Sequence, residues 1–100
     1  MKIEVTENDN QIEIALDGML DSNTSAQFQE TIDEIFLNEH LNMILNLEKL
    51  SYTSSQGIRT FLSIMKKNAA QNGKLIFKNI QPAVMEVFDM SGLSQMMQIE

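Results

Sequence analysis

Ile3 and Val5 alternate with polar neighbours, as do Ile12, Ile14 and Leu16, and Asn8-Asp9-Asn10 separates the two runs. A period of two predicts half-buried strands, and the polar triplet between them predicts a tight turn. Gly18 closes the second strand, and Asp21, Ser22, Asn23 and Thr24 supply side chains suited to a helix N-cap. Phe28, Ile32, Ile35 and Phe36 then recur at helical spacing, predicting an amphipathic helix over residues 23–38. Met43-Ile44-Leu45-Asn46-Leu47 is nearly continuous in apolar residues and predicts a strand covered on both faces. Ser51 to Gly57 reads as a polar loop, with Tyr52 packed at the strand end. Ile58, Phe61, Leu62, Met65 and Ala69 mark a second helix, stopped at Asn72-Gly73 by a left-handed glycine. Leu75-Ile76-Phe77 predicts another buried strand. Pro82 suits the first turn of a last helix whose stripe is Val84, Val87 and Phe88. Met96 to Ile99 is a candidate for a short edge strand.

The order is therefore β-β-α-β-α-β-α. Strands alternating with helices imply an α/β fold with right-handed crossovers. The expected architecture is a single domain over residues 1–100. Its sheet has four to five mostly parallel strands with an antiparallel N-terminal edge, and it carries three to four helices. Ligands and partners of such sheets collect at strand C-terminal ends, where chains run into helix N-termini. The segment from Ser51 to Gly57 occupies that position.

Composition narrows the chemistry. The 100 residues include no Cys and a single His, His40, placed at the expected end of the first helix, where a cation suits the dipole. Thiolate metal sites, disulfides, cysteine nucleophiles and Ser-His-Asp triads have no material. No cofactor or metal is expected, and no Gly-rich phosphate cradle stands out. The net charge of −7 disfavours nucleic acid and anionic lipid as partners. No apolar run approaches the roughly 20 residues of a bilayer span, and the N-terminus lacks a signal-peptide core, so a cytoplasmic protein without direct membrane insertion is expected. Residues 1–50 hold eleven acids and two bases, residues 51–100 three acids and five bases. Between Lys49 and Met85 there is no acid at all, while Arg59, Lys66, Lys67, Lys74 and Lys78 occur. That run is either a solvated face or a basic patch for an acidic or phosphorylated surface. Most of the eight methionines, including Met85, Met90, Met96 and Met97, read as core filler, and the alternative is a partly exposed partner patch.

Ser54 and Ser55 sit where the second helix begins. The first N–H groups of a helix lack intrahelical acceptors, and the dipole favours an anion there. A serine in this place is either an N-cap, worth about 1 kcal/mol, or a phosphorylation site whose phosphate those N–H groups accommodate. Two adjacent hydroxyls allow both roles at once. Arg59, the only Arg, follows Ser55 by four residues, a spacing that lets a guanidinium reach back toward a phosphate.

Three motifs end the anonymity of the chain. Leu16-Asp17-Gly18-Met19-Leu20-Asp21 is similar to an "L-x-G-x-L-D" strand ending. Leu45-Asn46-Leu47-Glu48-Lys49-Leu50-Ser51-Tyr52-Thr53-Ser54-Ser55-Gln56-Gly57-Ile58 resembles a "V-L-D-L-x-x-(L/V)-x-(F/Y)-(I/M)-(D/S)-S-(S/A)-G-(L/I)" signature. Pro82-Ala83-Val84 with Val87-Phe88-Asp89-Met90-Ser91-Gly92-Leu93 resembles a last helix and its exit turn. These are the motifs of the STAS domain family, in the family's order and across nearly the whole chain, and within it of the bacterial anti-sigma factor antagonists.

The resemblance implies a partner-switching regulator. An anti-sigma factor that is also a serine kinase binds the unphosphorylated antagonist and phosphorylates the serine at the position of Ser55, or alternatively Ser54. Phosphorylation breaks the complex, and a metal-dependent serine phosphatase restores it. Asp21, Thr53, Ser54, Gln56, Gly57 and Arg59 are the implied partner-binding residues, and the null role of Asp21 is a cap for the first helix. The chain would be a kinase substrate rather than an enzyme, and a monomer or weak dimer. Ser54 replaces a common family Asp, and Gln56 replaces a small Ser or Ala beside the acceptor. Two rivals stand beside this reading. One is a STAS accessory or scaffold subunit of a membrane lipid or solute transporter. The other is a small enzyme, for which the chain has little acid/base equipment.

Overall fold

The computed structural model of the chain describes residues 1–38 and 42–100. Strands β1 (Lys2–Asn8) and β2 (Gln11–Leu20) form the expected hairpin, antiparallel from Lys2↔Asp17 to Asn8↔Gln11 across an Asp9-Asn10 turn. Helix α1 (Ser22–Ile35) follows, then β3 (Asn42–Thr53), α2 (Ser55–Ala70), β4 (Lys74–Lys78) and α3 (Pro82–Met90), and a short 3₁₀ turn spans Leu93–Met96. The sheet order is β1-β2-β3-β4, with β3 parallel to both neighbours. The C-terminal segment adds only one parallel bridge, Phe77↔Ile99, held by Phe77 N–H to the Gln98 carbonyl at 2.9 Å and Glu100 N–H to the Phe77 carbonyl at 3.0 Å. The fold is thus an α/β domain with a four-stranded mixed sheet and three helices.

One core holds it together. Ile12, Ile14 and Leu16 of β2, Met43, Leu45 and Leu47 of β3 and Phe77 of β4 project from the same face of the sheet and are buried. Phe28 and Ile32 of α1, Phe61 and Ile64 of α2, and Val84 and Phe88 of α3 close over them. Phe61 is the hub of this layer. Its ring meets Phe28, Phe77 and Phe88 edge-to-face at centroid distances of 5.5, 6.0 and 5.3 Å, the geometry that the ring quadrupole favours.

The opposite face carries no helix of this core. Lys2, Glu4 and Thr6 are exposed there, and Glu13, Ala15 and Asn46 are half-buried. The expectation that β3 is covered on both faces holds at Met43, Ile44 and Leu45, which are all buried, and gives way at half-buried Asn46. Its continuous apolar run arises because Ile44 lies beside its register partner Ile76 on the open face, and the two stay largely buried outside the main core.

Helix ends follow local chemistry. α1 stops at Ile35, earlier than the periodicity predicts. Phe36 caps it, and its ring lies 5.6 Å beneath the Lys67 ammonium. His40 lies outside the described residues. At the end of α2 the left-handed residue is Asn72 (φ 58°) rather than Gly73, with Gly73 N–H bonded to the Asn68 carbonyl and Asn72 N–H to the Ala69 carbonyl. This is a Schellman arrangement that uses the tolerance of Asn for left-handed backbone. Pro82 opens α3 as expected. Among the methionines, Met43 is core, Met85 and Met97 pack against it, and Met90 and Met96 are exposed.

Truncation at the aromatic hub tests this account. Phe61→Ala is expected to cost about 3–5 kcal/mol in urea denaturation, whereas exposed Met90→Ala should stay within about 0.5 kcal/mol of the parent.

Candidate functional site

β3 runs further than the sequence suggested. It pairs with β2 through Gly18↔Leu50, Met19↔Tyr52 and Leu20↔Thr53, with register shifts between Ala15 and Asp17 and between Gly18 and Met19. Each shift adds a residue on β3, so its buried positions there are Leu47, Leu50 and Thr53, three apart. Ser51, Tyr52 and Thr53 are therefore strand rather than loop, and Ser55 to Gly57 are already the first turn of α2. Only Ser54 links the two elements, and its N–H donates to the Leu20 carbonyl at 2.8 Å.

The two adjacent hydroxyls have different surroundings. Ser54 is the N-cap of α2; its half-buried Oγ accepts from Gly57 N–H at 3.4 Å. Ser55 is the first residue of the helix and exposed, and among the described residues its Oγ takes part in no hydrogen bond. Beneath them Thr53 is buried, its Oγ1 donating to the Ser54 carbonyl at 3.1 Å. A Cβ on Gly57 would collide with Thr53 Oγ1 and press on Leu20 Cβ and Cδ1 at 3.1 Å. Thr53 and Gly57, expected to touch a partner, instead lie under the surface: they let α2 sit close on the strand ends.

Gln56 and Arg59 are exposed on the first turns of α2. Arg59 makes no salt bridge among the described residues and lines a shallow shelf with Leu62, Ser63, Lys66 and Lys67. The basic run is thus dispersed: Lys67 pairs with Asp33 at 3.1 Å, Lys78 faces Glu100 at 3.8 Å, and Lys49 borders the acidic open face.

Because β2 and β3 are parallel and end together, α1 starts beside α2. Asp21 caps it, accepting from Asn23 N–H at 3.0 Å and Thr24 N–H at 2.9 Å, while Asp21 N–H donates to Thr24 Oγ1 at 2.9 Å. The Thr24 hydroxyl in turn donates to the Met19 carbonyl at 2.6 Å. The hydrogen bond from Thr24 N–H, with that from Asn23 N–H beside it, holds the Asp21 carboxyl below its ordinary 3.8. The cap role is therefore filled, and the carboxylate remains exposed beside the start of α2.

Sequence reasoning missed one feature of this end of the sheet. Tyr52, expected to be packed, is 47% exposed, and its register partner Met19 is 50% exposed. No cluster of His, Cys, Asp or Glu among the described residues has the arrangement of a metal site, and none of the described helices is long and apolar enough to cross a membrane.

Two measurements test the junction. Gly57→Ala is expected to destabilise the domain by about 1–3 kcal/mol through overpacking against Thr53 and Leu20, read from chemical denaturation. Asp21, Asp33 and Glu4 all titrate below their ordinary values of 3.8, 3.8 and 4.5, each drawn down by hydrogen bonds to its ionised form. Folding thus favours their charged forms. That contribution is complete above the ordinary values and is lost as pH falls through the lower folded ones. The denaturation midpoint should be level from about pH 7 to 5 and fall below about pH 4, less steeply in Asp21→Asn.

The model of the STAS domain matches residues 2–100. The anti-sigma-B factor antagonist of Listeria monocytogenes is 24% identical over 101 positions, covering all of this chain and 89% of that one. The anti-sigma factor antagonist SpoIIAA, solved in its unphosphorylated form, has a TM-score of 0.84 and 30% identity over 99% of this chain and 88% of its own. The phosphorylated form of SpoIIAA, a Bacillus cell fate determinant, has a TM-score of 0.77 and 29% identity over 99% of this chain and 91% of that one. With a family match across almost its full length and a fold shared with these structures, the chain belongs to the STAS domain family.

Proposed function

We propose that the protein is an anti-sigma factor antagonist switched by phosphorylation at Ser55. The observation that carries the reading is the division of labour between the two serines: Ser54 Oγ is committed to capping α2, while Ser55 Oγ is exposed and uncommitted on the first helical residue. The names of its relatives, antagonists of anti-sigma factors, supply the class of partner. The unphosphorylated chain binds an anti-sigma factor that is also a serine kinase. Transfer of a phosphoryl group from ATP to Ser55 Oγ releases it, and a serine phosphatase resets it.

The switch acts at the interface and not on the fold. A phosphate adds about −1.5 to −2 charge, and at Ser55 it would stand in water at the positive end of a helix, where that charge is tolerated. SpoIIAA supports this, since both its unphosphorylated and its phosphorylated structures share the fold of this chain. What the phosphate opposes is contact: a partner that covers Ser55 would have to strip water from a dianion. Arg59, one turn on, is placed to draw the phosphate down against the helix; Gln56 and Asp21 flank it as contact residues.

Intact mass with site mapping on protein from its native cells is the test. A single phosphoryl adduct is expected, absent in Ser55→Ala and retained in Ser54→Ala. Ser54→Ala should instead lose about 1 kcal/mol of stability as its cap is removed. An adduct mapped to Ser54 would reassign the acceptor, and none in growing or stressed cells would overturn the reading.

A further inference from the structure

Met19 and Tyr52 are the exposed apolar side chains on an otherwise charged and polar open sheet face. Along β1 and β2 the open sheet face bears Lys2, Glu4, Thr6, Glu13 and Asp17. At its C-terminal rim, next to Ser54, two large apolar side chains on paired positions stand half in water. Met96 lines a separate groove with Leu62, Met65 and Met97, whereas exposed Leu37 and Met90 stand alone, which is ordinary for a protein surface. A contiguous Met–Tyr pair is not.

The backbone is shaped to present this pair. Gly18 has φ +125°, a conformation that strains any L side chain, directly before Met19. The first register shift, between Ala15 and Asp17, turns Leu50 inward opposite Gly18, and the second, between Gly18 and Met19, turns Tyr52 outward opposite Met19. Ser51 Oγ bonds the Gly18 carbonyl at 3.2 Å across the irregular stretch, and Thr24 Oγ1 bonds the Met19 carbonyl at 2.6 Å. Bulges of this kind re-aim side chains and recur beside functional sites.

We infer that Met19 and Tyr52 are the apolar anchor of the kinase interface, received by an apolar depression on the partner that has a hydrogen-bond acceptor for the Tyr52 hydroxyl. The inference rests on the function proposed above and names the residues that give that complex its affinity. A tyrosine that brings a rigid ring and one polar tip is a typical interface hot spot, and a flexible thioether beside it adapts to the pocket that receives it. The anchor lies next to Ser55 without including it, so it sets how long the kinase stays rather than how the phosphoryl group moves.

The test uses the purified full chain, ATP and an extract of its native cells as the source of kinase, with phosphate on Ser55 followed by intact mass and site mapping. In the Met19→Ser/Tyr52→Ser double variant the rate at low protein concentration should fall at least about tenfold, and raising the variant's concentration should restore it, a KM effect. Met90→Ser is the control, and Met19→Glu alone should slow the reaction without changing the thermal midpoint. Equal rates for wild type and double variant, with Ser55 phosphorylated in both, would overturn the anchor and leave the phosphorylation switch intact. A loss that concentration does not restore would also overturn it, marking a disturbed Ser55 instead. An extract that phosphorylates neither chain would overturn the switch and the anchor together.

Discussion

The close seat of α2 on the ends of β2 and β3 governs the rest of this end of the molecule. It depends on two local facts: Ser54 N–H donates to the Leu20 carbonyl at 2.8 Å, and Gly57 has no Cβ to strike Thr53 and Leu20. With a longer connection α2 would begin away from the sheet, and Ser55 would lie on a mobile loop. With one linking residue, Ser55 is fixed on the first turn of a 16-residue helix, with Asp21 and the start of α1 beside it. A partner docking on this surface, as the proposed function requires, would meet a rigid epitope in which backbone and caps are already set, with little ordering entropy charged against binding.

That rigidity comes from the core below. Leu20, Leu50 and Thr53 are buried at the strand ends, and Phe61 locks α2 against α1, α3 and β4 through three edge-to-face contacts. The phosphoacceptor surface and the hydrophobic core are two sides of the same junction. Substitutions in the core would act on binding by loosening the first turn of α2, even though they never touch a partner.

The sequence was most legible where periodicity was regular. The hairpin, the buried stripe of α1 and the Pro82 start of α3 follow from apolar spacing and cap chemistry alone, whereas in α2 the buried face runs through Gly57, Thr60, Phe61, Ile64 and Asn68, so that of the residues read as its stripe Phe61 is buried and Ala69 is exposed. The second half of β3 was not legible, because two bulges turned its buried positions from every second to every third residue: Leu47, Leu50 and Thr53 do not alternate, and the stretch read as a loop. Tyr52 was misjudged for the same cause, since its outward direction is set by the register shift at Gly18. The covered-on-both-faces reading of β3 held where Ile44 and its partner Ile76 are buried on the open face, and gave way at half-buried Asn46. The site itself was legible as a pair of serines at a helix start. What needed coordinates was which hydroxyl the helix uses and which it leaves free.

The effect of a phosphate here follows from the contrast between what it joins and what it faces. In a chain of net charge −7, one more anion changes the overall field little. Locally the change is large. The surface between the two helix starts is hydroxyl, amide and, in Met19 and Tyr52, apolar, with Asp21 as its nearest carboxylate in sequence and fold. Such a surface can be dried by a partner at modest cost, because Ser54 and Asp21 already hold internal hydrogen bonds and the apolar pair gains by burial. A dianion on Ser55 stands beside Asp21, and it keeps its water unless the partner supplies matching cations. On the proposed function, the helix dipole and Arg59 would stabilise that phosphate within the free chain and widen the gap, since they would lower the energy of the released state without helping the complex. A single modification would then tip binding while the fold beneath it stays as it was.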